Sequence, residues 1–305
     1  MKKYDFISIT ALTPPNLQRL IQTSLAFKGG GARPLLAGRT MALLFQKPSL
    51  RTRASFEAAM NGLGGHSIYF GPAEAGIGTR EPIEDAARVL CRYVDIIVAR
   101  TYAHETVEAL AAHSSVPVIN GLSEREHPCQ ALGDLMTIQE KLGSLRGKTI
   151  AYIGDGNNVA TSLIYGAALA GANFRIAAPK GYDLPSSIVS KAQALRSSES
   201  QIETMESPAK AVVGADVVYT DVWTSMGHEE EAEWRRRDFA RYQVTPELIA
   251  GAKPGALFMH PLPAHHGEEI SAGLLDHPQS VVFDQAENRM HVQKAILIDL
   301  LSDRH

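Results

Sequence analysis

The feature that most limits how this 305-residue chain can fold is an alternation that runs its whole length. Short apolar runs at 41–45, 66–70, 95–100 and 116–120, and again at 149–153, 174–178, 215–220 and 256–259, are separated by stretches whose apolar residues recur at helical spacing. Most runs lack the regular polar positions of a half-wet strand, which predicts parallel strands covered by helices on both faces. Helices are expected over 14–28, from Ser49 to the Gly64-Gly65 pair, and over 84–93, 104–112, 130–142, 159–170, 229–239 and 287–301, with a further apolar run at 281–283. A turn at 143–148 separates two such α/β units, each doubly wound around a mainly parallel sheet.

Within this alternation, Ser49-Leu50-Arg51-Thr52-Arg53 stands out. Pro48 and Ser49 mark a helix start directly after an apolar strand, and Ser is a favoured N-cap. A helix N-terminus carries roughly half a positive charge and several unpaired N–H groups. Placing Arg51 and Arg53 in that first turn opposes the dipole unless an anion occupies the site. Arginine offers a planar fork matched to phosphate oxygens, so an anion site is predicted; a solvated basic helix start is the plainer alternative.

Composition narrows the choice of ligand. Lys and Arg number 30 against 33 Asp and Glu, for a net charge of -3, which leaves no basic field for nucleic acid. The residues after Met1-Lys2-Lys3 form no signal-type apolar core, because Asp5 and Pro14-Pro15 interrupt it, and no run approaches the ~20 apolar residues of a membrane helix. A cytoplasmic protein acting on small molecules is expected. Of the two cysteines, Cys91 falls in an amphipathic pattern and reads as core, and no disulfide framework is expected.

Other polar groups collect where strands end, which is where open α/β sheets place ligands. Arg100 closes the run 95–100, and Glu126-His127-Pro128-Cys129-Gln130 follows the run 116–120; taken alone, His127 reads more simply as a structural histidine. The Gly-rich stretch 71–82, containing Arg80, reads equally as a mobile loop or an ordinary surface connection. Gly154-Asp155-Gly156-Asn157-Asn158 imitates a dinucleotide-binding turn, but Val159 and Ala160 stand where the third glycine is needed and Pro179-Lys180 where an acidic ribose ligand would lie. Asp221-Val222-Trp223-Thr224-Ser225-Met226-Gly227 follows the run 215–220, and His260-Pro261-Leu262-Pro263 follows 256–259.

Taken together and in this order, Ser49 to Arg53, His127 to Gln130, Asp221 to Gly227 and His260 to Pro263 resemble the aspartate/ornithine carbamoyltransferase family over the whole chain. The segments Asp221 to Gly227 and Gly154 to Asn158 are similar to its ornithine branch. The resemblance implies a carbamoyl phosphate-binding domain over 1–145, completed by the C-terminal helix 287–305, and an ornithine-binding domain over 146–286, joined by interdomain helices. It implies that Ser49, Arg51, Thr52 and the backbone N–H groups of Leu50 and Arg53 hold the phosphate. Arg100 would bridge phosphate and carbonyl oxygen, His127 would donate to that oxygen, and Gln130 would bind the carbamoyl nitrogen. Arg289 matches a family arginine near the carbamoyl group, and Pro261 and Leu262 join the same set through their carbonyls. Asn158, Asp221, Ser225 and Met226 would hold ornithine.

The expected reaction is carbamoyl transfer to the side-chain amine of ornithine, giving citrulline and phosphate, without metal or organic cofactor. Arg51, Arg100, Thr52 and His127 would stabilise developing negative charge, and Asp221 would orient the amine. The chain departs from the family pattern at Leu50, where threonine is common, and at Pro261, where the ornithine branch carries cysteine and the aspartate branch proline. Transfer to another amine, such as putrescine, lysine, an acylated ornithine or aspartate, and a non-catalytic binding subunit are the alternatives. The resemblance also implies a homotrimer or a multiple of trimers, a loop around Arg80 that reaches a neighbouring subunit, and a cis peptide between Leu262 and Pro263.

Overall fold

The computed structural model of the chain describes residues 3–30, 33–76, 81–196, 199–224 and 229–302. It divides into two compact units, Met1–Met136 with Glu287–His305, and Thr137–Ala286. The divisions fall inside helices α6 (Pro128–Leu142) and α12 (Val282–Leu301).

The first unit is built on β1 (Thr40–Phe45), β2 (His66–Phe70), β3 (Ile96–Arg100) and β4 (Val118–Leu122), all parallel and ordered β2-β1-β3-β4. The two central strands carry the uniformly apolar runs and are almost wholly buried, whereas the edge strand β2 is half exposed. Connections wind outward in opposite directions from β1 and β3, so a crevice opens beyond their carboxyl ends. From one end comes α2 (Leu50–Gly62), from the other Arg100, paired with Phe45. A register shift between Ala99 and Arg100 against β4 re-aims the chain at that point. Helices α1 (Pro14–Lys28), α3 (Pro72–Ala75), α4 (Ile83–Leu90) and α5 (His104–His113) complete the unit with α6 and the later part of α12. Ala42, Leu44, Ile97, Ala99, Val107, Leu110 and Val118 form one of its core clusters.

The second unit orders its parallel sheet β7-β6-β5-β8-β9: β5 (Thr149–Ile153), β6 (Asn173–Ala177), β7 (Ile202–Met205), β8 (Val217–Thr220) and β9 (Leu257–Met259). Its winding reverses between β5 and β8, whose carboxyl ends lead into Gly154 and Asp221. Helices α7 (Asn158–Ala170), α8 (Ser186–Leu195), α9 (Pro208–Val212), α10 (Ala232–Phe239) and α11 (Pro246–Ala250) flank it. The doubly wound two-sheet architecture expected from the alternation is therefore present.

Several details differ from the sequence reading. Strand β4 begins at Val118, beyond Pro117, which has no N–H to give a ladder. The run 281–283 belongs to α12, which starts at Val282 and is longer than expected. Cys91 is the C-cap of α4 and partly exposed rather than core, while Cys129 is buried with its thiol pushed up to about 12 by burial; both are free. Strand β7 and helices α8, α9 and α11 carry too few apolar positions to have announced themselves. Residues 71–82 include α3, and Arg80 lies outside the described residues.

Gly156 is where the second unit tolerates no side chain. Its N–H donates to the carbonyl of Tyr182 at 2.8 Å, and an added Cβ would stand 2.5 Å from the backbone nitrogen of Leu184. Because backbone must move to make room, Gly156→Ala is expected to destabilise by about 1–3 kcal/mol, the usual scale of overpacking, in chemical denaturation followed by circular dichroism.

Candidate active site

Ser49 caps α2: its Oγ accepts from the N–H of Thr52 at 3.3 Å and lies 3.0 Å from the Thr52 hydroxyl. That hydroxyl also accepts from Nη2 of Arg289 at 3.0 Å and Nη1 of Arg100 at 3.4 Å. One buried oxygen thus gathers two buried guanidiniums at the N-terminal end of a helix. Burial, then Arg289 and Arg51, lower the Arg100 pKa to about 10; burial also lowers that of Arg51. Neither Arg51 nor Arg100 has a carboxylate partner among the described residues.

His127 precedes α6 and is buried; burial and then Arg289, Arg100 and Lys47 hold it well below the usual histidine value, so it is neutral at pH 7. Lys47 was not singled out from the sequence, although it sits just before Pro48. It is buried and lies over the Tyr102 ring at 4.8 Å. Gln130, one turn into α6, donates its amide to Asp134 at 2.8 Å, and its buried amide oxygen has no hydrogen-bond partner among the described residues. The remaining two expected residues behave differently. Leu50 is 81% exposed and contributes only backbone to the helix start. Arg53 donates its N–H to the Ser49 carbonyl, stacks its guanidinium on Tyr69 at 3.8 Å and pairs with Glu57 at 3.0 Å.

In the second unit Asp221 is buried beyond β8, accepting from Asn157 Nδ2 at 2.8 Å and from the Val222 N–H at 2.8 Å. Burial raises its pKa against the opposing effects of His260 and these two bonds. Asn157, another residue the sequence reading passed over, caps α7 with its oxygen, which turns its amide nitrogen to Asp221; Asn158 is the first residue of that helix.

At the end of β9, His260 accepts from the Leu262 N–H at Nδ1, which leaves Nε2 as the protonated nitrogen, 3.3 Å from the buried Glu269 carboxylate. Burial pushes the Glu269 carboxyl upward, but the bonds from His260 and the His265 N–H outweigh it and hold the carboxyl below its usual range. Pro261 follows without a thiol or an N–H, Leu262 has φ 59°, and the Leu262–Pro263 peptide is cis. Ser225, Met226 and Gly227 lie outside the described residues. His265, Glu268 and Glu269 bring possible metal-ligand atoms within 4.8 Å, but Glu268 is paired with Arg236 and Glu269 with His260.

The geometry defines an anion pole in one unit and a carboxylate pole in the other, each at the switch point of its own sheet. Residues 4–140 match the aspartate/ornithine carbamoyltransferase carbamoyl-P binding domain, and residues 146–300 match the Asp/Orn binding domain of the same family. The chain belongs to the aspartate/ornithine carbamoyltransferase family.

Its similarity is to ornithine-using members. It is 49% identical over 298 residues to the anabolic ornithine carbamoyltransferase of Pyrococcus furiosus, covering 96% of this chain and 95% of that one. Against that of Pyrococcus horikoshii it is 48% identical, covering 99% and 96%. The solved structure of the Pyrococcus furiosus enzyme superposes with a TM-score of 0.95 at 47% identity, covering 99% and 98% of the two chains. For the Thermus thermophilus enzyme the values are 0.90, 44%, 99% and 100%.

The depressed His127 has a measurable consequence without substrate. The unfolded chain binds a proton near pH 6.5 that the folded chain refuses, so stability falls as pH drops below that value. The slope from this one group is at most about 1.4 kcal/mol per pH unit. Denaturation midpoints measured from pH 7 to pH 5 are expected to fall less steeply in His127→Gln than in the parent.

Proposed function

We propose that the residues around Thr52 hold carbamoyl phosphate and those around Asp221 hold ornithine, and that the enzyme transfers the carbamoyl group to the ornithine side-chain amine, giving citrulline and phosphate. The observation that carries this reading is the convergence of Arg100 and Arg289 on the Thr52 hydroxyl, beside Arg51 and a helix N-terminus, where Arg51 and Arg100 have no carboxylate partner among the described residues. Such a cluster is stable when an anion joins it.

In this reading Ser49, Arg51, Thr52 and the Leu50 backbone receive the phosphate, while Arg53, engaged with Tyr69 and Glu57, keeps the helix start in shape. Arg100 spans phosphate and carbonyl oxygen. Neutral His127 donates to that oxygen as charge grows on it, with Arg289 alongside. Gln130 accepts from the carbamoyl amide through its unpartnered oxygen, as do the Pro261 and Leu262 carbonyls. Asp221, with Asn158, Ser225 and Met226, receives the amino acid. The domains are assigned as 1–145 with 287–305 for carbamoyl phosphate and 146–286 for ornithine.

The attacking amine must be neutral, and a free alkyl amine has a pKa of about 10.4. Asp221 favours the cation, so it orients the amine, and the leaving phosphate takes the proton. Proximity and preformed positive charge then supply most of the rate. Pro261 removes a thiol but keeps its carbonyl, so transfer to ornithine tolerates it. A homotrimer in the cytoplasm is part of the proposal; no helix among the described residues is long and apolar enough to cross a membrane.

Arg51→Ala is expected to lower kcat/KM about 10²–10³-fold, as loss of one charge-stabilising donor does elsewhere, in an assay of citrulline formation; a loss smaller than about tenfold contradicts the assignment. Asp221→Asn is expected to weaken ornithine use while carbamoyl phosphate binding by calorimetry is unchanged. Light scattering that gives a monomer contradicts the trimer.

A further inference from the structure

Glu126 is a buried side chain that the reading above leaves without a task, and it directly precedes His127. Its partners come from the other end of the chain. The Ser8 hydroxyl donates to Oε1 at 2.6 Å, the short contact expected of an O–H on a carboxylate, and the N–H of Ile9 donates to Oε2 at 3.1 Å. The same Ser8 oxygen accepts from the N–H of Thr10 at 3.1 Å and so caps the short 3-10 turn Ile9–Ala11, in which Ile9 is wholly buried.

The N-terminal segment is laid along β4 before it reaches Glu126. Phe6 donates its N–H to the Val118 carbonyl and accepts from the N–H of Asn120, both at 2.9 Å, and the Asp5 carboxylate accepts from the N–H of Val118 at 2.8 Å. The turn that leaves β4 is closed on the same residues. The N–H of Ser123 donates to the Glu126 carbonyl at 3.0 Å, and Nδ2 of Asn120 reaches the Ile7 carbonyl at 3.1 Å and the Ser123 hydroxyl at 3.2 Å. Main chain and side chain of Glu126 are thus fixed separately, the first by the turn after β4 and the second by residues 8 and 9. On the other side, Pro128 disfavours helical backbone at His127, whose carbonyl accepts from the N–H groups of Gln130 and Ala131. The backbone that carries the imidazole is held from both directions. Burying a carboxylate is costly unless hydrogen bonds meet it, and here those bonds join two segments 118 positions apart.

We propose that Glu126 is a positioning residue for the reaction: clamped by Ser8 and Ile9, it sets where the His127 imidazole meets the carbonyl oxygen of the acyl donor. This rests on the assignment of carbamoyl phosphate to the residues around Thr52. It makes turnover depend on an N-terminal segment that takes no part in the substrate contacts of that reading.

The test is a double-mutant cycle read in citrulline formation, with Glu126→Ala and Ser8→Ala each made in the parent enzyme and in His127→Gln. Glu126→Ala is expected to lower kcat about tenfold in the parent, part of what a 1 Å displacement of a reacting group costs, with both KM values within about twofold. In His127→Gln the same change is expected to cost less than about twofold, because a residue that acts through the imidazole has nothing left to place. Ser8→Ala keeps the carboxylate and its bond to Ile9; it is expected to lower kcat about threefold in the parent only, and it decides the matter if Glu126→Ala does not fold. Equal losses in the two backgrounds, or a lowered thermal midpoint with kcat unchanged, overturn the proposal. A parent enzyme that fails to carbamoylate ornithine overturns the substrate assignment instead.

Discussion

Everything in the first unit turns on the hydroxyl of Thr52. It is one short side chain, yet it accepts from two buried arginines that belong to distant parts of the chain, Arg100 at the end of β3 and Arg289 in α12, separated from it by 237 positions. Burial first, and then repulsion from Arg289 and Arg51, lower the proton affinity of Arg100. What offsets the repulsion is the frame: strands β1 and β3 fix the helix start and Arg100 side by side, and the return of α12 to this unit brings Arg289. The resting protein holds positive charge in place before substrate arrives, which is the condition for electrostatic catalysis without reorganisation.

The second unit solves the opposite problem. Asp221 is a buried carboxylate whose burial favours the neutral form, and the bonds from Asn157 and Val222 hold it only partway back. A nearby cation would oppose the effect of burial and favour the charged form. His260 joins this balance: its Nε2 faces Glu269, and its ring still favours the Asp221 charge.

Much of this was legible in the residues because the strands at the switch points are the most apolar and their ends the most polar. Arg51 in a helix's first turn announced an anion by contradicting the dipole, and the Leu-Leu-Phe and Ile-Ile-Val runs announced buried parallel strands. What was not legible depended on packing. Lys47 and Arg235 are ordinary polar residues until the fold buries them, and Asn157 until the fold brings it against Asp221. Strand β7, at the sheet edge, has only half-buried apolar positions, so its sequence resembles a loop. Cys91 followed a helical pattern that ended one residue too soon.

The amide of Gln130 is oriented by Asp134, so the group it turns outward is an oxygen and never an N–H. On the proposed reading that single orientation is a filter on the acyl donor. Carbamoyl and acetyl phosphates have nearly the same shape, but only the first brings an N–H to the buried oxygen. The methyl of the second would leave that oxygen desolvated and unbonded, a penalty that falls on the wrong donor alone. On that reading a carboxylate one helical turn away separates two acyl phosphates that size alone does not.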